Sequence, residues 1–216
     1  MEQVEIIFES LKDLAKKRKR VFETLYDQNR YGWEKWLQVE LAFALKVSGT
    51  PEFEVPYDYD QRRLKPTSTC HYRKGLLDIQ FRAANHLRDR PTAIEIKVNN
   101  TEKGFRGVLS DLIKIGAVRD SNRDWKFRCV TVVFVHGNYG TRKTKFTKIR
   151  DDLVNAGIAR VHCTGNPGFE MIVLGWETHG TIRMTRDTYL EWLVRVVQIY
   201  SNHSVHPNIT RNRDVR

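Results

Sequence analysis

The sequence predicts an α/β protein with a mixed central β-sheet flanked by helices on both faces, on three observations. Stretches with apolar residues at helical spacing alternate along the chain with short strand-like runs. One run, Cys129-Val130-Thr131-Val132-Val133-Phe134-Val135, is strongly β-branched and almost continuously apolar, the character of a strand covered on both faces. The 216 residues are 40% hydrophobic and include 5 Trp and 10 Phe, which is enough for one sizeable core and argues against disorder. No internal repeat and no Gly/Ser- or Pro-rich linker divides them. Residues 1–216 therefore read as a single domain, with a core over 33–176, an N-terminal helical extension over 1–30, and a C-terminal helix and tail over 185–216.

The elements follow in order. Val4, Ile7, Phe8, Leu11 and Leu14 recur at helical spacing, as do Val21, Phe22, Leu25 and Tyr26. They predict one long helix or two short ones, with Lys16–Arg20 as a basic collar. A second helical pattern runs from Trp33 to Val47 and stops at Ser48-Gly49-Thr50-Pro51. Residues 51–67, rich in Pro, Asp and Tyr, predict an extended or irregular segment. Leu76–Phe81 and Ala93–Val98 then read as strands, with the polar Asn85–Pro91 as the hairpin loop between them. Gly107–Val118 returns to helical spacing and Arg128–Val135 is the central strand. Lys145–Ala156 follows as a helix, Met171–Trp176 as a strand and Thr185–Tyr200 as an amphipathic helix. The polar, basic Ser201–Arg216 is a frayed tail.

The formal net charge of +11 raises the local concentration of anions and favours polyanions such as nucleic acid or acidic membrane, nucleic acid above all, the alternative being a merely basic, soluble protein. No stretch approaches the roughly 18 consecutive apolar residues of a membrane span. Met1–Ser10 carries three glutamates and does not resemble a signal peptide. The charge is thus not expected to serve a membrane helix. The three cysteines, Cys70, Cys129 and Cys163, lack paired spacing and predict no disulfide framework, so a reducing cytoplasm is the expected location.

Chemistry enters at Ile94-Glu95-Ile96-Lys97-Val98. In a strand, Ile94, Ile96 and Val98 share one face, and Glu95 and Lys97 lie together on the other, about 7 Å apart along the chain. A carboxylate and an ammonium are costly to bury unless paired or bound. In Leu76-Leu77-Asp78-Ile79-Gln80-Phe81, Asp78 is a lone carboxylate in an apolar run, and hairpin pairing with the next strand brings it near Glu95. Two carboxylates that close repel, and a hard divalent cation such as Mg²⁺, with Mn²⁺ as substitute, resolves the conflict. Glu40, inside the apolar Trp36–Phe43 stretch, sits either at a helix edge or aimed at a metal or a positive partner. Metal-held carboxylates and a lysine are a minimal set for phosphodiester hydrolysis: the metal activates water, and the lysine orients it and offsets developing charge.

This pattern resembles the PD-(D/E)XK nuclease superfamily, the restriction-endonuclease-like fold. Its signature is an acid on one strand, then Glu or Asp, any residue and Lys on the next, often with a Glu on the preceding helix. The matching residues are Asp78, then Glu95-Ile96-Lys97, with Glu40 on the helix. The family core of helix, three strands, helix and strand matches residues 33–135 in order. Ser110-Asp111-Leu112-Ile113-Lys114 is similar to an Asp-Leu-x-Lys feature of some members. The proline often found before the first acid is replaced by Leu77. The resemblance implies a Mg²⁺-dependent endonuclease acting on DNA. Asp78 and Glu95 would hold the metal with Glu40 and the Ile96 carbonyl, Lys97 would activate the water, and a homodimer would cut two strands. The alternatives are a nucleic-acid-binding module that keeps the fold without cutting, and a domain whose charge serves an acidic protein.

Other signals are weaker. Gly137–Thr144 evokes a phosphate-binding loop, but Arg142 stands where the pattern requires Gly. It reads better as a basic stretch against a phosphate backbone, with Arg142, Lys143, Lys145, Lys148 and Arg150, or as a solvated charged face. Arg62, Arg63 and Lys65 beside Tyr57 and Tyr59, and Lys103 in the segment after the second acidic strand, are further candidates for backbone contacts. Cys70-His71 and His162-Cys163 lack the spacing of a zinc site and read as incidental. Trp33 and Trp36 read as core packing. His136 ends a strand near the sheet's carboxyl edge and carries no assignment.

Overall fold

The computed structural model describes residues 3–27, 33–60, 72–84, 90–98, 102–116, 118, 126–127, 129–138, 145–155, 159–163 and 168–177. Two helices come first, α1 (Gln3–Lys17) and α2 (Lys19–Asp27), followed by α3 (Glu34–Leu45). Strands β1 (Gly49–Asp60), β2 (Tyr72–Ala83) and β3 (Thr92–Val98) lead to α4 (Glu102–Gly116) and β4 (Cys129–Asn138). Helix α5 (Lys145–Asn155) and strands β5 (Ala159–Cys163) and β6 (Gly168–Glu177) complete the described chain. The helix expected at 185–200 and the tail lie outside the described residues.

The six strands form one mixed sheet in the order β1-β2-β3-β4-β6-β5. Only β3 and β4 pair in parallel; every other neighbour is antiparallel. Strand β4 is central and covered on both faces, as its composition predicts. Val130, Val132 and Phe134 pack with Val108, Leu112 and Ile115 of α4 and Leu153 of α5. Cys129, Val133 and Val135 pack on the other face with Ile7 and Leu11 of α1, Phe22 of α2 and Leu37 and Leu41 of α3. The N-terminal helices, expected as an extension, thus form much of one core layer. Close docking of α1 on β6 depends on Gly175, where a Cβ would lie 2.7 Å from Val4 Cγ2.

Residues 51–67 were expected only as an extended or irregular segment, and β5 was not expected. Pro51, Pro56 and the acidic residues of 51–60 argue against a strand, yet β1 pairs with β2 along its length. Its place at the sheet edge explains this, because an outer edge makes no ladder bonds and tolerates proline and charge. Strand β5 is short and lies at the opposite edge.

The β1–β2 hairpin carries a shared kink. Its register is constant from Gly49↔Ala83 to Asp60↔Tyr72 except at Glu54 and Asp78, which do not pair. Glu54 has φ 49°, the left-handed region that a glutamate rarely adopts. Side chains two apart in a strand should share a face. Here Leu77 faces the α4 side while Ile79 and Phe81 face the α3 side. Val55, opposite Leu77, changes face with it. Asp78 therefore stands at the crossing point, where both strands turn over.

Candidate active site

Strand β3 presents Glu95 and Lys97 to the face that α4 covers, alternating with Ile94 and Ile96, which enter the core under α3. The β2–β3 ladder is recorded from Phe81↔Thr92 to Ile79↔Ile94 and goes no further. At that end, Ile96 N–H donates to Asp78 Oδ2 at 2.7 Å. Asp78 thus reaches sideways into the gap between two strands, and its kinked backbone is what turns it there. Gln38 of α3, itself buried, donates from Nε2 to the other Asp78 oxygen. Burial pushes the Asp78 carboxyl above the usual carboxylate range, opposed by the Ile96 N–H and by Lys97.

Glu95 is the more perturbed acid. Burial, then the negative charge of Asp78, push its pKa up to about 7, although Lys97 works in the opposite direction. Lys97 Nζ donates to Glu95 Oε1 at 2.8 Å and lies 3.7 Å from Asp111 Oδ2. Burial pulls the Lys97 ammonium down, but Glu95, Asp111 and Asp78 outweigh it and hold the pKa above the ordinary lysine value. Asp111 is shared, since Lys114 Nζ, one turn along α4, donates to its Oδ1 at 2.6 Å. Lys114 also lies 5.7 Å from the Tyr59 ring centroid. Burial pushes the neighbouring Tyr57 hydroxyl up to about 12, with Lys114 opposing. Tyr57 lies across Gly75, its register partner, where a Cβ would meet the ring at 2.6 Å. The cluster is therefore an alternation of acids and bases, Asp78, Glu95, Lys97, Asp111 and Lys114, spread over β2, β3 and α4.

One atom in it has no partner. Glu95 Oε2 is buried and accepts no hydrogen bond. Buried polar atoms are nearly always bonded, and an exception calls for an explanation. Two mutually repelling carboxylates with an orphaned oxygen fit a hard divalent cation. In an extended strand a residue's carbonyl and N–H point to the same edge, so the Ile96 carbonyl would offer a neutral oxygen on the side of Asp78. Among the described residues no group of three His, Cys, Asp or Glu side chains is placed to hold a metal. An ion here would therefore rest on two carboxylates, with the carbonyl and waters filling its shell, a mode that Mg²⁺ favours.

Glu40, expected beside the metal, does not join this cluster. Its Oε2 accepts from Arg18 Nε at 3.1 Å, in a groove between α1 and α3 on the outer side of the helix. It stands six residues beyond Glu34, so a helix of 3.6 residues per turn points the two in different directions. The α3 residues that reach the site side are Glu34 and Gln38. Glu34 Oε1 accepts from Val98 N–H at 3.0 Å, and its charge contributes to the raised pKa of Asp78. Lys35 pairs with Glu54 and also acts on Asp78 through its charge.

Of the expected backbone contacts, Arg62, Arg63, Arg142 and Lys143 lie outside the described residues. Lys103 and Lys145 fall in the first turns of α4 and α5, and their side chains also lie outside what is described. Arg150, placed in the same basic stretch, is engaged elsewhere: its Nη1 donates to both oxygens of the buried Glu170 at 2.8 and 2.7 Å. Cys70 and His71 also lie outside the described residues. Cys163 is exposed and free, and His162 is held below its ordinary pKa by burial and by Lys12 and Lys16. Trp33 packs in the core and lies 6.0 Å from Trp36, centroid to centroid. Among the described residues no helix is long and apolar enough to cross a membrane.

In comparisons with known proteins, no family model, no curated protein and no solved structure matches the chain significantly.

Proposed function

We propose that the protein is a metal-dependent endonuclease of the restriction-endonuclease-like type that hydrolyses phosphodiester bonds in DNA. The observation that carries this reading is the orphaned Glu95 Oε2, buried beside Asp78 and on the same strand as Lys97. The order α3, β1–β3, α4, β4 supports it, since it follows the helix, three strands, helix and strand of that core. The net charge of +11 supports a polyanionic substrate.

When bound, Mg²⁺ or Mn²⁺ supplies Lewis acidity and a water of lowered pKa. Asp78 and Glu95 would hold the ion as ionised carboxylates, and Asp78 is kept in position by Ile96 N–H and Gln38. Lys97 is fixed between Glu95 and Asp111, beside the carboxylates that would hold the ion. It offsets the negative charge that develops on the phosphoryl oxygens and helps to orient the nucleophile. Asp111 aims the Lys97 ammonium, and Lys114 prevents Asp111 from adding an uncompensated negative charge to the site.

The test is cleavage of supercoiled plasmid with Mg²⁺, with EDTA, and by Glu95→Ala and Lys97→Ala. The expected outcome is nicking that requires the metal and is lost in both variants. No cleavage by the wild type, with salt-sensitive binding to the same DNA, would leave a binding module that does not cut. Cleavage that survives both substitutions removes the catalytic assignment.

A further inference from the structure

Among the described residues, the β1–β2 hairpin beyond its kink is covered on one face only. Val55, Tyr57 and Leu77 pack towards α4. The side chains that alternate with them, Pro56, Asp58, Lys74 and Leu76, are all exposed. Pro56 and Leu76 are register partners and share this bare face. On the other side of the kink, Phe53 stands opposite Ile79 and faces the α3 side with it. Residues three apart in a regular strand point to opposite faces, so it is the kink that brings Phe53 and Pro56 out together. Phe53 is 48% exposed and Leu76 is 61% exposed. An aromatic ring, a proline and a leucine thus line one strip of open sheet.

The strip borders the acidic cluster. Ile79, opposite Phe53, follows Asp78 directly, and the β2–β3 ladder ends there. Lys35 of α3 reaches across to pair with Glu54, the residue of positive φ beside Phe53. Among the described side chains of the strip the charges balance, since Lys35 is paired with Glu54 and Lys74 stands opposite Asp58. On a chain of net charge +11, a phosphate backbone gains little at such a place. A ring with aliphatic neighbours and no excess charge suits the flat face of a nucleobase, because stacking on an aromatic side chain is open to every base. In a continuous duplex the bases cover one another's faces, so only an unpaired base can use the strip.

We propose that Phe53, Pro56 and Leu76 form a seat for an unpaired nucleobase beside the scissile phosphate. This rests on the nuclease reading above, which puts that phosphate at Asp78 and Glu95. The substrate class is then DNA with an unpaired nucleotide or single-stranded stretch at the cleavage position, in preference to uninterrupted duplex.

Binding in EDTA, read by fluorescence anisotropy of labelled DNA, tests the seat without cleavage. Three DNAs of one sequence serve: a duplex, the same duplex with one extra unpaired adenosine, and that DNA with the adenine base removed. The wild type is expected to bind the DNA with the unpaired base about 5- to 150-fold more tightly than the other two, the range for one base stacked on an aromatic side chain. Phe53→Ala is expected to bind all three alike, at the wild-type affinity for duplex, with an unchanged melting temperature. Phe53→Trp is expected to keep the preference. A wild type that binds the three equally overturns the proposal, and so does a preference that survives Phe53→Ala. A Phe53→Ala defect of the same size on all three DNAs overturns it too. Salt-sensitive binding without preference removes the seat and leaves the nuclease reading standing, whereas no binding to any of the three removes both. A preference in a wild type that cleaves nothing supports the seat and removes the nuclease reading.

Discussion

Ile96 N–H and Asp78 Oδ2 are joined at 2.7 Å at the end of the β2–β3 ladder, so a side chain stands in for the next strand carbonyl. Asp78 therefore closes the sheet as well as facing the site. Asp78→Ala leaves a backbone donor without its acceptor, which costs on the order of 1–3 kcal/mol. Asp78→Asn keeps an acceptor oxygen and is expected to cost less than Asp78→Ala while abolishing metal-dependent cleavage equally. Urea unfolding alongside plasmid nicking separates the two roles.

The raised pKa of Glu95 predicts an unusual dependence of stability on pH. A carboxyl whose pKa rises from 4.5 unfolded to about 7 folded makes the native state bind the extra proton. Its contribution to stability is complete below 4.5 and is lost as pH rises through 7. Metal-free protein is therefore expected to lose on the order of 3 kcal/mol between acidic and mildly alkaline pH from this group. Glu95→Gln should flatten that slope, and added Mn²⁺ should oppose it by favouring the ionised carboxylate. Thermal melts across the pH range, with and without the ion, check the sign. A wild-type profile no steeper than that of Glu95→Gln would refute it.

Lys97 and the carboxylates are separable. Lys97→Met keeps the length of the side chain and removes the charge that lowers the Glu95 pKa. Cleavage is expected to fall by about 10²- to 10⁴-fold, the range for loss of a positioned proton-transfer or charge-stabilising group. Calorimetric titration with Mn²⁺ at alkaline pH should still show one site, because the oxygen donors remain.

The two sides of α3 predict opposite outcomes. Glu40→Ala removes an outer contact with Arg18, which is about half exposed, so stability should change by less than about 1 kcal/mol and cleavage should hold. Gln38→Ala removes the donor to Asp78 from a buried position and is expected to lower cleavage by about tenfold or more, with a loss of stability. A cleavage defect in Glu40→Ala as large as in Gln38→Ala would reinstate Glu40 as a site residue.

Much of this arrangement was legible in the sequence because two signals were strong. Period-two alternation in 94–98 put Glu95 and Lys97 on one face, and a β-branched run identified β4 as central. The pairing of β2 with β3 then brought Asp78 to Glu95. The error at Glu40 came from reading a carboxylate within an apolar run without its helical phase. Leu37, Leu41 and Leu45 mark the inward stripe, and Gln38 and Ala42 share it. Gln38 is thus the polar residue that needed a reason, while Glu40 lies about a third of a turn away from that stripe, next to the exposed Phe43. Strand β1 was legible only as an extended or irregular segment, because prolines and acids oppose strand formation except at an edge, and edge position is a property of the sheet. The kink at Glu54 and Asp78 leaves no mark in composition, since nothing in a glutamate announces positive φ.

That kink has a bearing on how the hairpin finds its partner. A plain antiparallel pair can slide along itself and still satisfy most backbone bonds. Here both strands turn over at facing positions, so any offset separates the two turning points and exposes Leu77 or Ile79 to water. The correct alignment of β1 on β2 is then enforced by the same crossing that aims Asp78, and a chain that misaligns the hairpin during folding also fails to assemble the acidic cluster.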